Sequence, residues 1–364
     1  MLKCICAIII YLSCLETFGQ SSYRQLIDSV AKVNQVVGLS YTVVSGEKEL
    51  DAGVWGNRRV GENDAIQLSD RFHIGSNTKA FTAFLAAKMV EEKKITWETK
   101  FFDIFPELKI NAKEKYYQIT LQDLLSHRAY IQAFTTETDY AKLSITSTSV
   151  REQRVELAKY VLQLEPIKFP QGQSYSYSNA GYILAAIMLE KTVDKAWEEQ
   201  IINLFGIEMG ITVDFGFPNR LNPKQPWGHF SEGKKLIATA PDYKLKLPQY
   251  IAPSADICMS IQDYGKWLRH QLLGFKGKDI HLKEENYNYM HFGIPQYSLG
   301  WRNIIKGETL HVSTHEGSAG TFFCHAGIIK EKNIAVAIFV NSAEPKTIMA
   351  ITEISRILLK HFEK

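Results

Sequence analysis

The stretch FHIGSNTKAFTAFLAAKMV, residues 72–90, sets the frame for the rest of the chain. Phe72 and Ile74 alternate as in a strand and Gly75 interrupts them. Ala80, Phe81, Phe84, Leu85 and Met89 then repeat at helical spacing up to the charged run Glu91 to Lys94. Ser76 therefore opens a helix, and Lys79, three residues on, falls on the same face of its first turn. A serine hydroxyl is a weak nucleophile at neutral pH and needs a base within hydrogen-bond reach. Burial and the positive end of the helix both push a lysine toward the neutral amine that can serve as that base. The tetrad alone is cheap, since Ser-x-x-Lys also begins at Ser29, Ser45 and Ser231. A helix-capping serine with a solvated lysine one turn on is the structural alternative. What separates Ser76 is its place between a strand, a glycine and an apolar helix.

Upstream, Tyr23 to Val37 reads as a helix, with Leu26, Val30, Val33 and Val37 on one side. Leu39 to Val44 and Leu50 to Trp55 read as a hairpin around Ser45 to Lys48. Downstream, Phe105 to Met290 is loop-rich, with helices over Leu121 to Ser126, Val150 to Leu164, Gly181 to Lys191 and Ile261 to Leu273. Strand periodicity returns over Leu299 to Ile305, Leu310 to Thr314, Phe322 to Ile329 and Ile334 to Val340, and a helix spans Ile348 to Leu359. Strands at both ends enclosing helices predict an α+β fold. One sheet is assembled from the two ends of the chain, terminal helices flank it, and a cleft separates it from an inserted helical lobe. The sheet lobe is expected over about 23–104 and 295–364, the helical lobe over about 105–294, with 20–364 as one domain.

Bulk properties suit an enzyme and exclude several other classes. The 364 residues are 45% hydrophobic and 22% charged, which rules out a disordered or collagenous chain. The mean hydropathy of -0.15 is that of an ordinary globular chain. A net charge of +3 from 42 basic and 39 acidic residues gives no one-signed field, so nucleic acid is not an expected partner. Lys3, the apolar run Cys4 to Leu15 and the site Thr17-Phe18-Gly19 have the outline of a signal peptide over residues 1–19, implying export to the periplasm or medium. The run is too short to span a bilayer; a lipid anchor on Cys14 is the secondary reading. Of five cysteines only Cys258 and Cys324 lie beyond that segment, and both are expected to be free and buried. The ten histidines contain no His-Glu-x-x-His, and no Cys-x-x-Cys accompanies them, so no metal or cofactor is called for.

Two further elements complete a set for acyl transfer, which also needs a proton donor for the leaving group and two donors for the oxyanion. Tyr177-Ser178-Asn179 is the chain's only Tyr-x-Asn, and residues two apart in an extended segment project to one side. Tyr177 can relay a proton, while Asn179 can hold Lys79 or a substrate carbonyl. A buried tyrosine beside a turn-forming asparagine is the structural alternative. His315-Glu316-Gly317, followed by Ser318, ends the strand from Leu310 to Thr314 with residues small enough to let a substrate lie against the backbone. The amides of Ser76 and Ser318 then make the oxyanion hole. Here too the bare pattern recurs, at His73, His291 and His325, and an exposed surface loop is the alternative.

Ser-x-x-Lys, then Tyr-x-Asn about a hundred residues on, then His-x-Gly near the C-terminus resembles the serine β-lactamases of the class C type and the related penicillin-binding proteins, DD-peptidases and esterases. The likeness continues through Leu124-Leu125-Ser126-His127, Phe169 to Tyr182, Ser254-Ala255-Asp256 and Tyr297 to Trp301. It implies the β-lactamase/DD-peptidase-like fold, an α/β sandwich lobe with an antiparallel sheet beside an all-helical lobe. It also implies roles: Ser76 the nucleophile, Lys79 its base, Tyr177 the relay, Asn179 a partner of Lys79 and substrate. His315 stands where many lactamases carry the lysine that holds a substrate carboxylate or assists proton transfer. That histidine looks more like the DD-peptidase, D-aminopeptidase and esterase branches. Glu316 brings a negative charge where the family often has threonine, and Arg128-Ala129 replace the small residues that usually follow His127. The expected activity is that of a D-specific peptidase, amidase or esterase on a small-molecule or peptide substrate. A β-lactamase, or a non-catalytic penicillin- or peptide-binding sensor, is the alternative, and the oligomeric state is left open.

Overall fold

Ile334–Val340, the heptapeptide IAVAIFV, is apolar on both faces, and a strand of that kind must have a layer packed on each side. In the computed structural model, which describes residues 23–233, 235–244, 247–307 and 309–362, all seven of these side chains are buried. Eleven strands are present among the described residues: β1 (Gly38–Ser45), β2 (Glu49–Gly56), β3 (Arg71–His73), β4 (Asp214–Phe215), β5 (His229–Glu232), β6 (Lys235–Ala238), β7 (Ile257–Ser260), β8 (Arg302–Lys306), β9 (Leu310–Ser318), β10 (Phe323–Ile329) and β11 (Ile334–Val340). Six form one antiparallel sheet in the order β2-β1-β11-β10-β9-β8, so strands from opposite ends of the chain meet at β1 and β11. The expected sheet from both chain ends is the one observed.

One face of the sheet presents Leu39, Tyr41, Val43, Val336, Ile338 and Val340 to the terminal helices α1 (residues 23–33) and α7 (Pro345–Phe362), through Ile27, Ala31, Ile351, Ile354 and Leu358. The other face presents Ala326, Ile328, Ala335, Ala337 and Phe339 to the main core. That core holds α2 (Thr78–Glu91), α3 (Val150–Val161), α4 (Asn179–Val193), α5 (Ile261–Gly274) and α6 (Glu284–Phe292). Each large side chain so buried is worth about 1.5–3 kcal/mol. α2 is buried along nearly its whole circumference, with Thr78 through Ala87 and Met89 all inside. It is the axle of the molecule, and Lys79 is carried inside with it.

Boundaries differ from the sequence reading where backbone geometry intervenes. The first helix stops at residue 33 rather than Val37, because Gln35 takes a left-handed φ of 56° and the Val36 amide turns back to the Ala31 carbonyl. β9 runs on through Ser318 instead of ending at Thr314. The stretch expected to be all-helical also contributes strands: β5 and β6 pair with each other, and β4 and β7 form a small sheet with β3 of the other lobe. Cys258 and Cys324 are free and buried, as expected. The signal-peptide and lipid-anchor readings on residues 1–19, with Cys4, Cys6 and Cys14, lie outside the described residues. No described helix is long and apolar enough to cross a membrane.

β9 reaches the start of α2 by a backbone-to-backbone approach that only glycine permits. A Cβ on Gly317 would sit 1.9 Å from the Ile74 carbonyl oxygen, and one on Gly75, whose φ is +51°, would sit 2.6 Å from the Ser318 nitrogen. Gly317→Ala is therefore expected to destabilise the fold by about 1–3 kcal/mol or more. Gly206→Ala, whose added carbon meets only Ile202 at 3.8 Å, should be neutral or stabilising by up to about 1 kcal/mol. Urea unfolding of the two variants measures the contrast, and equal midpoints would refute the close approach.

Candidate active site

The turn bearing Ser76 is fixed from behind before any substrate arrives. β3 pairs with β7, and the Ile74 amide extends that pairing by donating to the Ile257 carbonyl at 2.9 Å. The Gly75 amide donates to His73 Nδ1 at 3.1 Å, and His73 Nε2 lies 3.1 Å from Asp256 Oδ1. An amide can only donate, so Nδ1 is the bare nitrogen, and the ring proton at Nε2 points to the carboxylate. Gly75–Asn77 then form a short 3-10 turn into α2. In the orientation that satisfies both of its amide atoms, Asn77 donates to the His315 carbonyl and accepts from the Gly317 amide, each at 3.3 Å, tying β9 to the same turn.

Lys79 Nζ has three partners: Asn179 Oδ1 at 2.7 Å, the Ser254 carbonyl at 2.9 Å and Ser76 Oγ at 3.3 Å. Burial drives its pKa well below the usual lysine value. A neutral amine has two hydrogens and one lone pair. The two oxygens that can only accept take the hydrogens, so the lone pair is left facing the Ser76 hydroxyl. Each acceptor is itself pinned. Asn179 Nδ2 donates to Tyr140 Oη at 3.2 Å, and Tyr140 donates to the Phe134 carbonyl at 2.7 Å. Ser254 sits in the short helix Ala252–Ala255, which Thr82 of α2 holds by donating to the Pro253 carbonyl at 2.6 Å.

Tyr177 covers the amine. Lys79 Nζ is 4.5 Å from its ring centroid, and its phenol hydrogen-bonds with Ser76. Burial raises that phenol above its ordinary pKa and the Ser76 contact only partly offsets this, so Tyr177 remains a proton donor at neutral pH. His127 packs on the other side, 4.4 Å from the Tyr177 ring and 4.4 Å from Tyr297, with Nδ1 accepting from the Ser178 amide at 3.1 Å. His315 stands behind this layer, its ring 6.5 Å from that of Tyr177. Its Nδ1 meets the Glu316 carbonyl at 2.8 Å and its Nε2 the Tyr297 hydroxyl at 2.9 Å. The carbonyl must accept, so Nδ1 carries the proton and Nε2 accepts from Tyr297. With both nitrogens engaged and 2% exposure, His315 has no free nitrogen for a substrate carboxylate, the first of the two parts the resemblance implies there; the second, assistance to proton transfer, would run through the Tyr297 hydroxyl.

The cleft in front of Ser76 has a volume of about 520 Å³, and Thr135, Glu137, Tyr140, Tyr177, Asn179 and the backbone of residues 316–320 are in its wall. Glu316 of β9 and Glu137 both border this space, and both are exposed. Among the described residues no lysine or arginine lines it. A larger hollow of about 920 Å³ beside α7 contains none of these groups. Arg128 does not enter the cleft. It clamps the rim by donating to the carbonyls of Ser126, Pro295 and Tyr297 and to the Ser174 hydroxyl. Tyr140, the Ser254 carbonyl, Glu137 and Tyr297 belong to the site but had no assigned part in it from sequence.

Comparison with known proteins agrees with this architecture. Residues 23–358 match the Beta-lactamase family. Protein flp of Staphylococcus aureus is 20% identical over 333 residues, covering 90% of this chain and 64% of that protein, so the chain spans less than two thirds of its length. The octameric penicillin-binding protein homologue from Pyrococcus abyssi superposes with a TM-score of 0.73 at 20% identity, covering 94% of this chain and 78% of the other. The class C beta lactamase from Rhodobacter sphaeroides gives 0.72 at 14% identity, covering 93% and 99%. At such identities the structural likeness speaks for the fold.

The buried histidine has a consequence for acid stability. Burial above all holds His315 down at about 3, against 6.5 for a free histidine. Between those values the unfolded chain binds the proton and the folded one does not, so this contribution is complete above pH 6.5 and is lost as pH falls toward 3. His315→Gln is expected to reduce the slope of unfolding free energy between pH 6 and 4 by up to about 1.4 kcal/mol per pH unit. Denaturant melts at stepped pH test it; an unchanged slope would mean the imidazole is already charged in the fold.

Proposed function

The chain belongs to the Beta-lactamase family of serine hydrolases, and on that footing we propose that it acts through an acyl-enzyme on Ser76, as a D-specific peptidase or amidase or as an esterase. The observation that carries the proposal is the placement of the Lys79 lone pair, 3.3 Å from Ser76 Oγ, by two acceptors that leave it no other use. In the acylation step Ser76 Oγ attacks the substrate carbonyl carbon while its proton passes to Lys79. The developing oxyanion is received by the amides of Ser76 and Ser318. Tyr177 delivers a proton to the leaving amine or alkoxide and is reprotonated from Lys79, and the bond to the leaving group breaks. Water then hydrolyses the Ser76 ester, with the same groups moving the proton in reverse.

Charge in the cleft selects among the substrates of such a site. Glu137 and Glu316 repel a carboxylate and attract an ammonium group. The preferred substrate is therefore an amide or ester carrying a free amino group or no charge, and the His315 likeness to the D-aminopeptidase and esterase branches points the same way. The alternative of a β-lactamase, whose substrates carry a carboxylate, runs against both acids.

Intact-mass analysis with a fluorophosphonate should show a single adduct that Ser76→Ala abolishes; equal labelling of both proteins would remove the assignment, and labelling without turnover on any ester, D-amino-acid anilide or cephalosporin would favour a binding module. Lys79→Met should lower kcat/KM by about 10²–10⁴. Because burial holds Lys79 low, the rising limb of kcat/KM should lie far below the 10.5 of a free lysine; a limb near that value would eliminate Lys79 as the resting base. Glu316→Thr should shift preference toward anionic over neutral substrates by about two- to fivefold, and an unchanged ratio would show that Glu316 does not sense substrate charge.

A further inference from the structure

We infer that His270, Asp279 and His281 form a binding site for a divalent transition-metal ion of the zinc or cobalt kind, remote from Ser76 and independent of the hydrolase reading. His270 lies in the second half of α5, and Asp279 and His281 lie in the loop that leads to α6. One donor atom from each of the three lies within 4.8 Å of the other two. His270 Nδ1 faces Asp279 Oδ2, while Asp279 Oδ1 accepts from the His281 amide at 2.8 Å, which fixes the loop around the carboxylate. The two imidazoles meet edge to face with centroids 5.2 Å apart.

An ordinary His–Asp ion pair accounts for two of these groups and leaves the third unexplained. The His281 ring makes no hydrogen bond among the described residues, yet it is turned toward the pair, and the Asp279 side chain is only 2% exposed. Zinc accepts nitrogen and carboxylate oxygen at about 2.0–2.2 Å in a tetrahedron, which sets donor separations of about 3.3 Å. Reaching that size means opening the short His270–Asp279 edge and drawing the longer separations in by about 1.5 Å or less, within the reach of side-chain rotation. Two imidazoles and one carboxylate suit zinc, cobalt or nickel rather than magnesium or calcium. His270, at 23% exposure, leaves the site open to solvent for entry and for a water as fourth ligand.

The place of the site defines what a bound ion does. It joins α5, which backs the sheet, to the loop before α6, where Glu91 of α2 accepts from the Lys283 amide and Asn286. Lys88 Nζ donates to the His281 carbonyl at 3.2 Å, so the site sits near the far end of α2, about 18 Å from Ser76 along that helix. An ion here acts as a brace: it binds the folded chain and raises stability in proportion to the logarithm of its concentration over Kd.

Chelator-treated protein titrated with zinc chloride should bind one ion with a Kd of about 1 μM or tighter, and its Tm should rise with added zinc. Cobalt chloride should give the visible absorption of a four-coordinate cobalt ion. His281→Ala should weaken binding at least tenfold and abolish both the Tm rise and the cobalt bands. His270→Ala, at the more exposed position, should do the same and serves should His281→Ala fold poorly by circular dichroism. His311→Ala, outside the cluster, should leave the titration unchanged. No binding, or zinc binding that survives loss of His270 and His281, overturns the assignment.

Discussion

An amine cannot be carried into a protein interior as a cation without a counter-charge close by, and Lys79 bonds to none among the described residues. Its contacts are an amide oxygen, a backbone carbonyl and a hydroxyl, all neutral. Desolvation therefore decides its protonation state, and the two oxygens decide where its lone pair points. Much of the surrounding structure serves to keep those two oxygens where they are. Tyr140 and Phe134 orient Asn179, while Thr82, with Trp197 donating to its hydroxyl at 3.1 Å, holds the short helix that offers the Ser254 carbonyl. A carboxylate in place of Asn179 would restore the charge and end the arrangement, because the amine would then hold its proton.

The nucleophile is braced from a different direction. The chain from Asp256 through His73 to the Gly75 amide pins the residue before Ser76, and Asn77 pins the residue after it to β9. The two supports meet in one segment, because Asp256, which starts the nucleophile's brace, caps the short helix Ala252–Ala255 that offers the Ser254 carbonyl to the base. The aromatic layer of Tyr177, His127, Tyr297 and His315 lies against base and nucleophile and contains no anionic group. Its histidines are pushed toward neutrality by burial, which keeps a second positive charge away from Lys79 once that residue has taken the serine proton.

How far the sequence could be read depended on whether a feature leaves its mark on side chains. β11 was legible to the residue because both faces bury apolar groups, and the β1–β2 hairpin because apolar runs flank a polar turn. The grouping of Ser76, Lys79, Tyr177 and Asn179 in space follows from motifs whose positions in strand, turn and helix could be placed. The Ser254 carbonyl left no such mark, since any residue supplies a backbone oxygen. β4, with two residues, is too short to show a period, whereas the three-residue β3 was marked by Phe72 and Ile74 on either side of His73. Glu137, which opens the short helix Glu137–Tyr140, and Glu316 of β9 line one cleft although they are far apart in sequence, and no local pattern announces that. His315 was read as a strand end facing a substrate; Gly317 instead lets β9 continue by packing its backbone on Ile74, and the histidine is carried inside.

The junction of β1 with β11 has a temporal meaning as well as a spatial one. β1 is made well before β11 and must wait, unpaired on its inner edge, until that strand emerges. The donor expected from Ser318 comes with β9, which also follows long after Ser76. A nascent or prematurely ended polypeptide that lacks β9 to β11 would thus hold its serine and lysine in sequence without the geometry to use them, and reactivity would be withheld until those strands have emerged.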